Sequence, residues 1–475
     1  MQRLNKPDLS SARKRTKNQV NTIEYENFKN IKNIGKDKSY IIQTHGCQAN
    51  EADTEVIRGL LEEQGFTPAN VLEEADLVVI NTCAIRENAE NKVFGELGRL
   101  KSFKRLNPNM IIAIAGCMPQ EEAVVEKIMK KYSHVDIVFG THNVNKFIEY
   151  LDYVIREKKQ LIEVYSKEGE IIEHLPQVRQ NRFKAWVNIM FGCDEFCTYC
   201  IVPYTRGKER SRNKEYIIEE IKDLIKDGYK EVTLLGQNVN SYGLDFIEEK
   251  YDFADLLEDL AKLDIPRIKF TTSHPKDFSD SLIDVIAKYP NIMPFIHLPV
   301  QSGSNEILKR MNRKYTKEEY LALVNRIYNR IPHVSLTTDI IVGFPGESEN
   351  DFEETLDLVR KSRFEGAYTF IYSPRKGTPA ASYKETVDPE VAKQRLYKLN
   401  DLINEGFLAG NKRFENKVVK VLVEGYSKTN KGVLSGYTEN NKLVNFKGPE
   451  SLIGKIVDIH IEKAKTWSLD GEVVQ

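Results

Sequence analysis

The chain has 475 residues, of which 41% are hydrophobic and 29% are charged, and its formal net charge is −1. This length suggests about three domains. The composition is that of a globular protein and excludes a membrane-spanning one, because no apolar run approaches the roughly 20 residues that cross a bilayer. With so little net charge, any nucleic acid would have to bind at local basic patches.

Two such patches occur in the sequence. Residues 1–20 carry six Lys or Arg against one acid, and residues 179–214 carry eight against three. The first patch lacks the apolar run of a signal peptide, although import into an organelle is an alternative. We predict a disordered, solvated arm over residues 1–37. There are only six cysteines, and three of them, Cys47, Cys83 and Cys117, are spread over about seventy residues. A disulfide framework would be denser and more local, so this pattern favours a reducing compartment, and we expect a cytoplasmic monomer without membrane association.

Between residues 38 and about 160, short apolar runs alternate with helical patterns. This order is typical of a doubly wound α/β domain, a parallel sheet with helices on both faces. We predict strands over residues 39–44, 77–81, 110–115 and 135–139. We predict helices over residues 52–64, 87–106, 121–131 and 145–155. A linker is expected over residues 158–174.

Three cysteines, the first triad, each follow one of the first three predicted strands: Cys47, Cys83 and Cys117. The carboxyl ends of parallel strands lie along one edge of a sheet, so these residues can be neighbours in space. Such a position permits a three-cysteine metal site. Three unconnected thiols at strand ends are the alternative.

Three further cysteines, the second triad, form a CxxxCxxC pattern: Cys193, Cys197 and Cys200. They follow an apolar run over residues 185–191, so we predict that they lie on a loop at the carboxyl end of a strand. Three thiolates can hold a 4Fe-4S cube by three of its irons and leave the fourth iron open. Half of a zinc site is the alternative, but no second pair of ligands follows.

A central domain is predicted over residues 179–410, where six strand patterns are each followed by a helical stretch. Six such units predict a partial TIM-like (β/α)6 barrel. The strands are expected over residues 185–191, 231–235, 267–272, 295–300, 335–342 and 367–372. Gly, Asn, Ser and Pro residues follow several strand ends, as they do in ordinary turns. Their grouping around the cysteine loop favours a ligand site.

A basic strip, residues 202–212, follows the second triad directly. We predict that Tyr204, Arg206, Lys208 and Arg210 contact RNA, because they could stack on a base and bind phosphates. A solvated connector is the usual interpretation of such a run. The position beside the cysteines favours the RNA contact.

Residues 411–475 follow a predicted helix over 389–408 and change to β patterns joined by Asn, Gly and Lys turns. Four strands, over residues 418–423, 433–437, 443–446 and 456–461, predict a small all-β barrel. This segment resembles the TRAM domain, an OB-like module that binds RNA. Its eleven Lys or Arg against eight acids favour RNA only weakly, and a structural cap is the alternative.

The CxxxCxxC loop resembles the signature of radical S-adenosylmethionine (SAM) enzymes. The stretches around the first triad, residues 44–50, 81–86 and 115–119, resemble the motifs of the methylthiotransferase family. The resemblance implies two 4Fe-4S clusters, one held by each triad. It also implies that SAM binds the open iron of the second cluster and is cleaved to a 5′-deoxyadenosyl radical, while the first cluster is where the inserted sulfur is attached.

The resemblance covers nearly the whole chain, as a methylthiotransferase domain, a radical SAM barrel and a TRAM domain. It implies SAM contacts by Gly236, Gln237, Asn238, Gln301, Ser302 and Gly343. Residues 186–190, 202–207 and 464–471 most resemble the branch that methylthiolates C2 of N6-dimethylallyladenosine beside the anticodon of tRNA. The expected partners are that tRNA and proteins that donate sulfur and electrons.

Two other functions remain compatible with the sequence. A sister enzyme could modify threonylcarbamoyl-adenosine in tRNA, or an aspartate of a ribosomal protein, by the same chemistry. A non-catalytic iron–sulfur protein that binds tRNA is the other alternative.

Overall fold

This computed structural model describes residues 3–8, 12, 21–26, 31–84, 87–247 and 249–474. The chain forms two compact units. The first comprises residues 1–180, 188–196 and 200–216, and the second comprises residues 181–187, 197–199 and 217–475. Within the described ranges, no helix has both the length and the apolar composition that a bilayer crossing requires.

The first unit is built on a seven-stranded sheet in which neighbouring strands run parallel. From edge to edge the strands are Arg3–Asn5, Leu161–Glu163, Ile137–Phe139, Ile111–Gly116, Leu77–Thr82, Ser39–His45 and Thr67–Pro68. The long helices of this unit are Gln48–Glu63, Glu87–Leu106, Glu122–Lys131 and Phe147–Glu157. The predicted alternation of strands and helices is confirmed.

Both faces of this sheet are covered by helices. In the strand Leu77–Thr82, Val78 and Ile80 belong to one buried cluster, together with Leu97 of a covering helix. Val79 belongs to a second cluster, together with Leu60 of another helix. A strand buried on both faces carries a near-continuous apolar run rather than an alternating pattern, and the first four residues of this strand are all apolar. The doubly wound arrangement is therefore confirmed.

The amino-terminal arm holds strands where the structure describes it. Arg3–Asn5 pairs in parallel with Leu161–Glu163, and Thr22–Glu24 pairs in parallel with Ile171–Glu173. The prediction of a disordered arm is therefore wrong for these two segments. The prediction of a linker over residues 158–174 is also wrong, because that stretch contains both partner strands. Arg3–Asn5 and Thr22–Glu24 each contain a single apolar residue, so they show no periodicity that could be recognised. The rest of the arm, residues 1–2, 9–11, 13–20 and 27–30, lies outside the described residues.

The second unit contains two three-stranded sheets whose strands follow one another in chain order. One consists of Lys184–Asn188, Glu231–Leu235 and Arg267–Thr271, and the other of Phe295–His297, Ser335–Val342 and Ala367–Ile371. The backbone N–H of Met293 donates to the carbonyl oxygen of Ile268 at 2.9 Å, which joins the two sheets. The predicted partial barrel is confirmed.

Helices follow the strands of this partial barrel, which we call the central barrel. They are Lys214–Lys226, Phe253–Ala261, Asp280–Lys288, Asn305–Arg310, Lys317–Arg330, Glu349–Ser362 and Pro389–Lys412. Several begin with a side-chain cap of the kind that satisfies the first free N–H groups of a helix. Thr316, for example, accepts from the N–H of Glu319 at 3.2 Å.

The chain ends in a closed five-stranded barrel, here called the small barrel. In spatial order its strands are Val418–Tyr426, Leu434–Thr438, Leu443–Lys447, Leu469–Val473 and Ile456–Ala464. Four of the five strands were predicted from the sequence. Leu469–Val473 was missed, because Asp, Gly and Glu interrupt its apolar pattern. The predicted all-β barrel is confirmed.

Buried polar contacts attach the small barrel to the amino-terminal ends of the central-barrel strands. Arg267, which begins its strand and is 1% exposed, donates to the carbonyl oxygens of Lys420 and Tyr437 at 2.9 Å each. Glu365 forms ion pairs with Lys442 at 2.9 Å and with Arg413 at 3.0 Å. The small barrel therefore covers the end of the central barrel opposite to the carboxyl ends of its strands.

We expect Glu365→Ala to destabilise the second unit, because it leaves the buried ammonium of Lys442 without its counter-charge. Removing one partner of a buried ion pair costs about 3 kcal/mol or more. The thermal unfolding midpoint should fall clearly. In the matched control Glu390→Ala, which removes an exposed pair with Lys393, it should hardly move. Equal midpoints for the two variants would contradict this role of Glu365.

Candidate active site

The first triad lies where three adjacent strands of the seven-stranded sheet end. Cys47 is the N-cap of the helix that follows the first of these strands. The N–H of Cys83 donates to the carbonyl oxygen of His45 at 2.9 Å, and the N–H of Cys117 donates to that of Thr82 at 2.8 Å. The cysteines are thus held in register at one edge, as expected from their positions in the sequence.

The three thiols affect one another's protonation. A hydrogen bond with Cys83 lowers the pKa of Cys47 to about 6, opposed by burial and assisted by the Arg206 guanidinium. Burial raises the pKa of the Cys117 thiol, Arg206 lowers it, and the charge of Cys47 raises it. Thiolates are the usual ligands of iron–sulfur clusters. Three converging thiols beside a cationic group fit a 4Fe-4S cluster bound through three of its irons.

A buried amide pair fixes the edge on which the triad lies. Asn81 donates from Nδ2 to the carbonyl oxygen of Asn50 at 2.8 Å, and Asn50 donates from Nδ2 to that of Thr82 at 3.1 Å. Both asparagines are fully buried, where an unmade hydrogen bond is costly. The pair therefore holds the helix that begins at Cys47 against the strand that leads to Cys83.

In each triad, one cysteine directly follows a glycine with a positive φ. Gly116 has φ of +98°, and a Cβ on it would lie 2.3 Å from the carbonyl oxygen of Thr82. Gly192 has φ of +78°, and its Cβ would lie 2.0 Å from the carbonyl oxygen of Lys208. Only glycine combines this backbone conformation with such a close approach. At both places the chain passes tightly against a neighbour as it reaches the cysteine.

Arg206 of the basic strip lies against the first triad, within the first unit. It is 6% exposed. Its Nε donates to Cys117 Sγ at 3.2 Å, and its Nη2 donates to Asp53 Oδ2 at 2.6 Å. Tyr204 is also buried and packs with Cys117 and Ala84. The strip therefore supports the first triad.

Arg210 is buried as well, and it donates to the carbonyl oxygens of Gly169 at 3.1 Å and Lys208 at 3.3 Å. The predicted phosphate contacts of Arg206 and Arg210, and base stacking by Tyr204, are not supported by these placements, because the groups are turned into the protein. Lys208 is partly exposed and remains a candidate. A run of charges does not reveal which of its members will be buried.

The second triad is carried by the loop that follows the strands Lys184–Asn188 and Met190–Phe191. In the first unit, the N–H of Cys193 donates to the carbonyl oxygen of Gly207 at 3.2 Å. In the second unit, Cys197 is buried and accepts a hydrogen bond at Sγ from Arg313 Nη1 at 3.4 Å. Three cysteines within eight residues again provide the donor set that a 4Fe-4S cluster requires.

Arg313 was not predicted as a site residue. Besides the sulfur of Cys197, it donates from Nη2 to the carbonyl oxygen of Pro299 at 2.8 Å and from Nε to the hydroxyl of Tyr315 at 2.9 Å. These partners are neutral, so the guanidinium brings a positive charge to the second triad. The sequence contains no local signal for this role, because Arg313 lies more than 100 positions after Cys197.

The six predicted SAM contacts all follow the carboxyl ends of central-barrel strands. Asn238 donates from Nδ2 to Asp277 Oδ2 at 2.7 Å, while its Oδ1 is buried with no hydrogen-bond partner among the described residues. Asn240 Nδ2 and Ser273 Oγ are likewise buried and have no hydrogen-bond partner among the described residues. Buried polar atoms are normally hydrogen-bonded, so these atoms fit a polar ligand such as SAM.

Two of the predicted SAM contacts use polar groups in hydrogen bonds to the protein itself. The hydroxyl of Ser302 lies 3.4 Å from that of Thr355, and the N–H of Gly343 donates to Glu347 Oε1 at 3.0 Å. Gln301 has φ of +70°. Gly236 and Gln237 directly follow the strand Glu231–Leu235. For these residues contact with SAM stays a prediction, and Asn240 and Ser273 are added to the candidates.

Comparison with known families finds three matching segments. Residues 187–359 match the radical SAM superfamily, residues 39–140 match uncharacterized protein family UPF0004, and residues 412–474 match the TRAM domain. Among solved structures, the radical SAM methyltransferase TsrM from Kitasatospora setae superposes with a TM-score of 0.52 at 13% identity, covering 72% of this chain and 74% of that one. This likeness concerns the fold.

Similar proteins extend over almost the entire chain. The tRNA-2-methylthio-N(6)-dimethylallyladenosine synthase of Oceanobacillus iheyensis is 57% identical over 470 residues, covering 99% of this chain and 91% of that protein. The protein of the same name from Bacillus subtilis is 56% identical over 471 residues, covering 98% and 92%. Fold and matching segments together define a radical SAM enzyme with a TRAM domain. Within that class, the chain belongs to the family of tRNA-2-methylthio-N6-dimethylallyladenosine synthases.

Proposed function

We propose that the protein methylthiolates C2 of N6-dimethylallyladenosine beside the anticodon of tRNA, with two 4Fe-4S clusters and SAM as cofactors. The observation that carries the proposal is identity of 55% or more, over nearly the full chain, to relatives named for this reaction. Both cysteine triads and the unpartnered polar atoms near Asn238 support it. We also propose a cytoplasmic monomer, served by proteins that donate sulfur and electrons.

The proposed roles divide between the triads. Cys47, Cys83 and Cys117 hold the cluster that carries the sulfur, and the second triad holds the cluster that binds SAM. When bound, these groups supply the sulfur and a carbon radical, which is needed because C2–H is not acidic enough for a side-chain base. Asn238, with its neighbours Asn240 and Ser273, orients the polar end of SAM.

The target base has to leave its stack to reach such a site. In a single-stranded anticodon loop this costs little, because no base pair is broken. We place the RNA contacts on Lys208 and on the small barrel. Trp467 of the small barrel is 64% exposed and packs on Phe407 with ring centroids 4.9 Å apart. An exposed aromatic ring held in this way can stack on a base.

Nucleoside analysis of tRNA tests the proposed reaction. Cells that lack the gene should lose 2-methylthio-N6-dimethylallyladenosine and accumulate the unmodified N6-dimethylallyladenosine, measured by mass spectrometry of digested tRNA. Re-expression of the intact gene should restore the product. Loss of a methylthiolated threonylcarbamoyl-adenosine instead would favour the sister activity, and unchanged nucleosides would contradict a role in tRNA modification.

The metal content gives a separate prediction. Anaerobically reconstituted protein should bind about eight irons, because each triad holds one four-iron cube. The Cys193→Ala/Cys197→Ala/Cys200→Ala variant should bind about half as many. Iron and acid-labile sulfide analysis measures this directly. Stoichiometric zinc without iron–sulfur absorption would contradict the assignment of both triads.

A further inference from the structure

Arg206, which is buried, and Asp53, which is partly buried, form a charge pair directly beside the first triad. The guanidinium donates to the carboxylate through Nη2 at 2.6 Å and through Nη1 at 3.4 Å, and its Nε donates to Cys117 Sγ at 3.2 Å. The Arg206 and Asp53 side chains are 7% and 14% exposed. Asp53 belongs to the helix that begins at Cys47. The pair thus links the helix that begins at Cys47 to the sulfur of Cys117.

Charges at this distance from a ligand sulfur are weakly screened, because the surroundings are largely closed to water. Hydrogen bonds to the sulfurs and the net charge around them set the reduction potential of an iron–sulfur cluster. A donor at Cys117 favours the reduced, more negative state and raises the potential. A carboxylate that compensates the donor opposes that rise. Arg206 and Asp53 should therefore act with opposite signs.

We propose that the Arg206–Asp53 pair sets the reduction potential of the cluster held by the first triad. Arg206 raises this potential, and Asp53 limits the rise while it directs Nε toward Cys117. Both are positioning residues, since they act through a ligand sulfur. The inference rests on the proposed function, because it requires a cluster at the first triad.

The test uses the full-length Cys193→Ala/Cys197→Ala/Cys200→Ala protein, reconstituted anaerobically with iron and sulfide, so that the first triad provides the only cluster signal. Its midpoint potential is measured by a redox titration followed by electron paramagnetic resonance. In this background, Arg206→Gln should shift the potential downward. At a fixed poise the ratio of reduced to oxidised cluster should fall about tenfold, which for one electron corresponds to about 59 mV.

Asp53→Asn should shift the potential upward, since it leaves the charge of Arg206 uncompensated. Arg206→Lys keeps the charge and should stay closer to the parent protein than Arg206→Gln. The matched control is Arg179→Gln, which removes an ion pair of 3.0 Å to Glu55 on the same helix. This control should leave the potential unchanged.

A purely structural pair gives a different pattern. Arg206→Gln and Asp53→Asn would then shift the potential in the same direction, or leave it unchanged, and either result overturns the proposal. If Arg206→Gln loses its iron, the sign for Asp53→Asn and the value for Arg206→Lys decide. If the parent variant itself binds no iron, the assignment of the first triad fails, and the inference falls with it. Iron content thus separates that failure from a wrong role for Arg206.

Discussion

Replacing Cys47, Cys83 and Cys117 by alanine should stop methylthio insertion and leave reductive cleavage of SAM intact. The three residues lie at one sheet edge of the first unit, whereas the candidate SAM contacts lie in the second unit. The variant leaves the sequence of the second triad unchanged. Anaerobic turnover with dithionite and prenylated tRNA measures both outcomes, if 5′-deoxyadenosine and the modified nucleoside are followed together. Insertion should fall to background.

The alternative for the first triad is a structural cluster. In that case the same variant should misfold and lose SAM cleavage together with insertion. Thermal unfolding of the variant next to the parent protein provides the control for its fold. If the variant still forms the 2-methylthio nucleoside, the division of labour between the triads is wrong, whatever its iron content.

The converse change, alanine at Cys193, Cys197 and Cys200, should abolish both products. Without the second cluster SAM has no open iron to bind, so neither 5′-deoxyadenosine nor the methylthio nucleoside should form. tRNA binding should persist, because none of the candidate RNA contacts is altered, and a gel-shift titration measures this. Continued release of 5′-deoxyadenosine would show that SAM is cleaved elsewhere. Loss of tRNA binding would indicate that the loop also contacts RNA.

The sequence predicted those parts of the fold that depend on local pattern. The central strand Leu77–Thr82 begins with four consecutive apolar residues because both of its faces are buried, and the helix Glu87–Leu106 was predicted with its observed bounds. The convergence of the first triad followed from parallel strand order alone. Strands with a single apolar residue, such as Thr22–Glu24, were missed, because their pairing depends on a partner far along the chain.

The surroundings of the two triads were much less accessible from the sequence. Arg206 was predicted to contact RNA, yet it pairs with Asp53, 153 positions earlier in the chain. Arg313 and Asn240 were not recognised at all. Such contacts are set by tertiary packing, which brings together residues that share no spacing or motif. The chemistry that a side chain can perform is therefore visible in the sequence. Its partner and its burial become known only from the structure.

The attachment of the small barrel limits how this family can exchange its parts. Arg267 donates to backbone carbonyl oxygens, which a small barrel from any relative could offer. Glu365, in contrast, needs the side chains of Lys442 and Arg413. A chimera that joins this central barrel to a foreign carboxyl-terminal segment should therefore be less stable unless that segment brings equivalent cations. Recombination between relatives would then conserve Glu365 and its two partners as one inherited unit, even where the RNA-facing surface diverges.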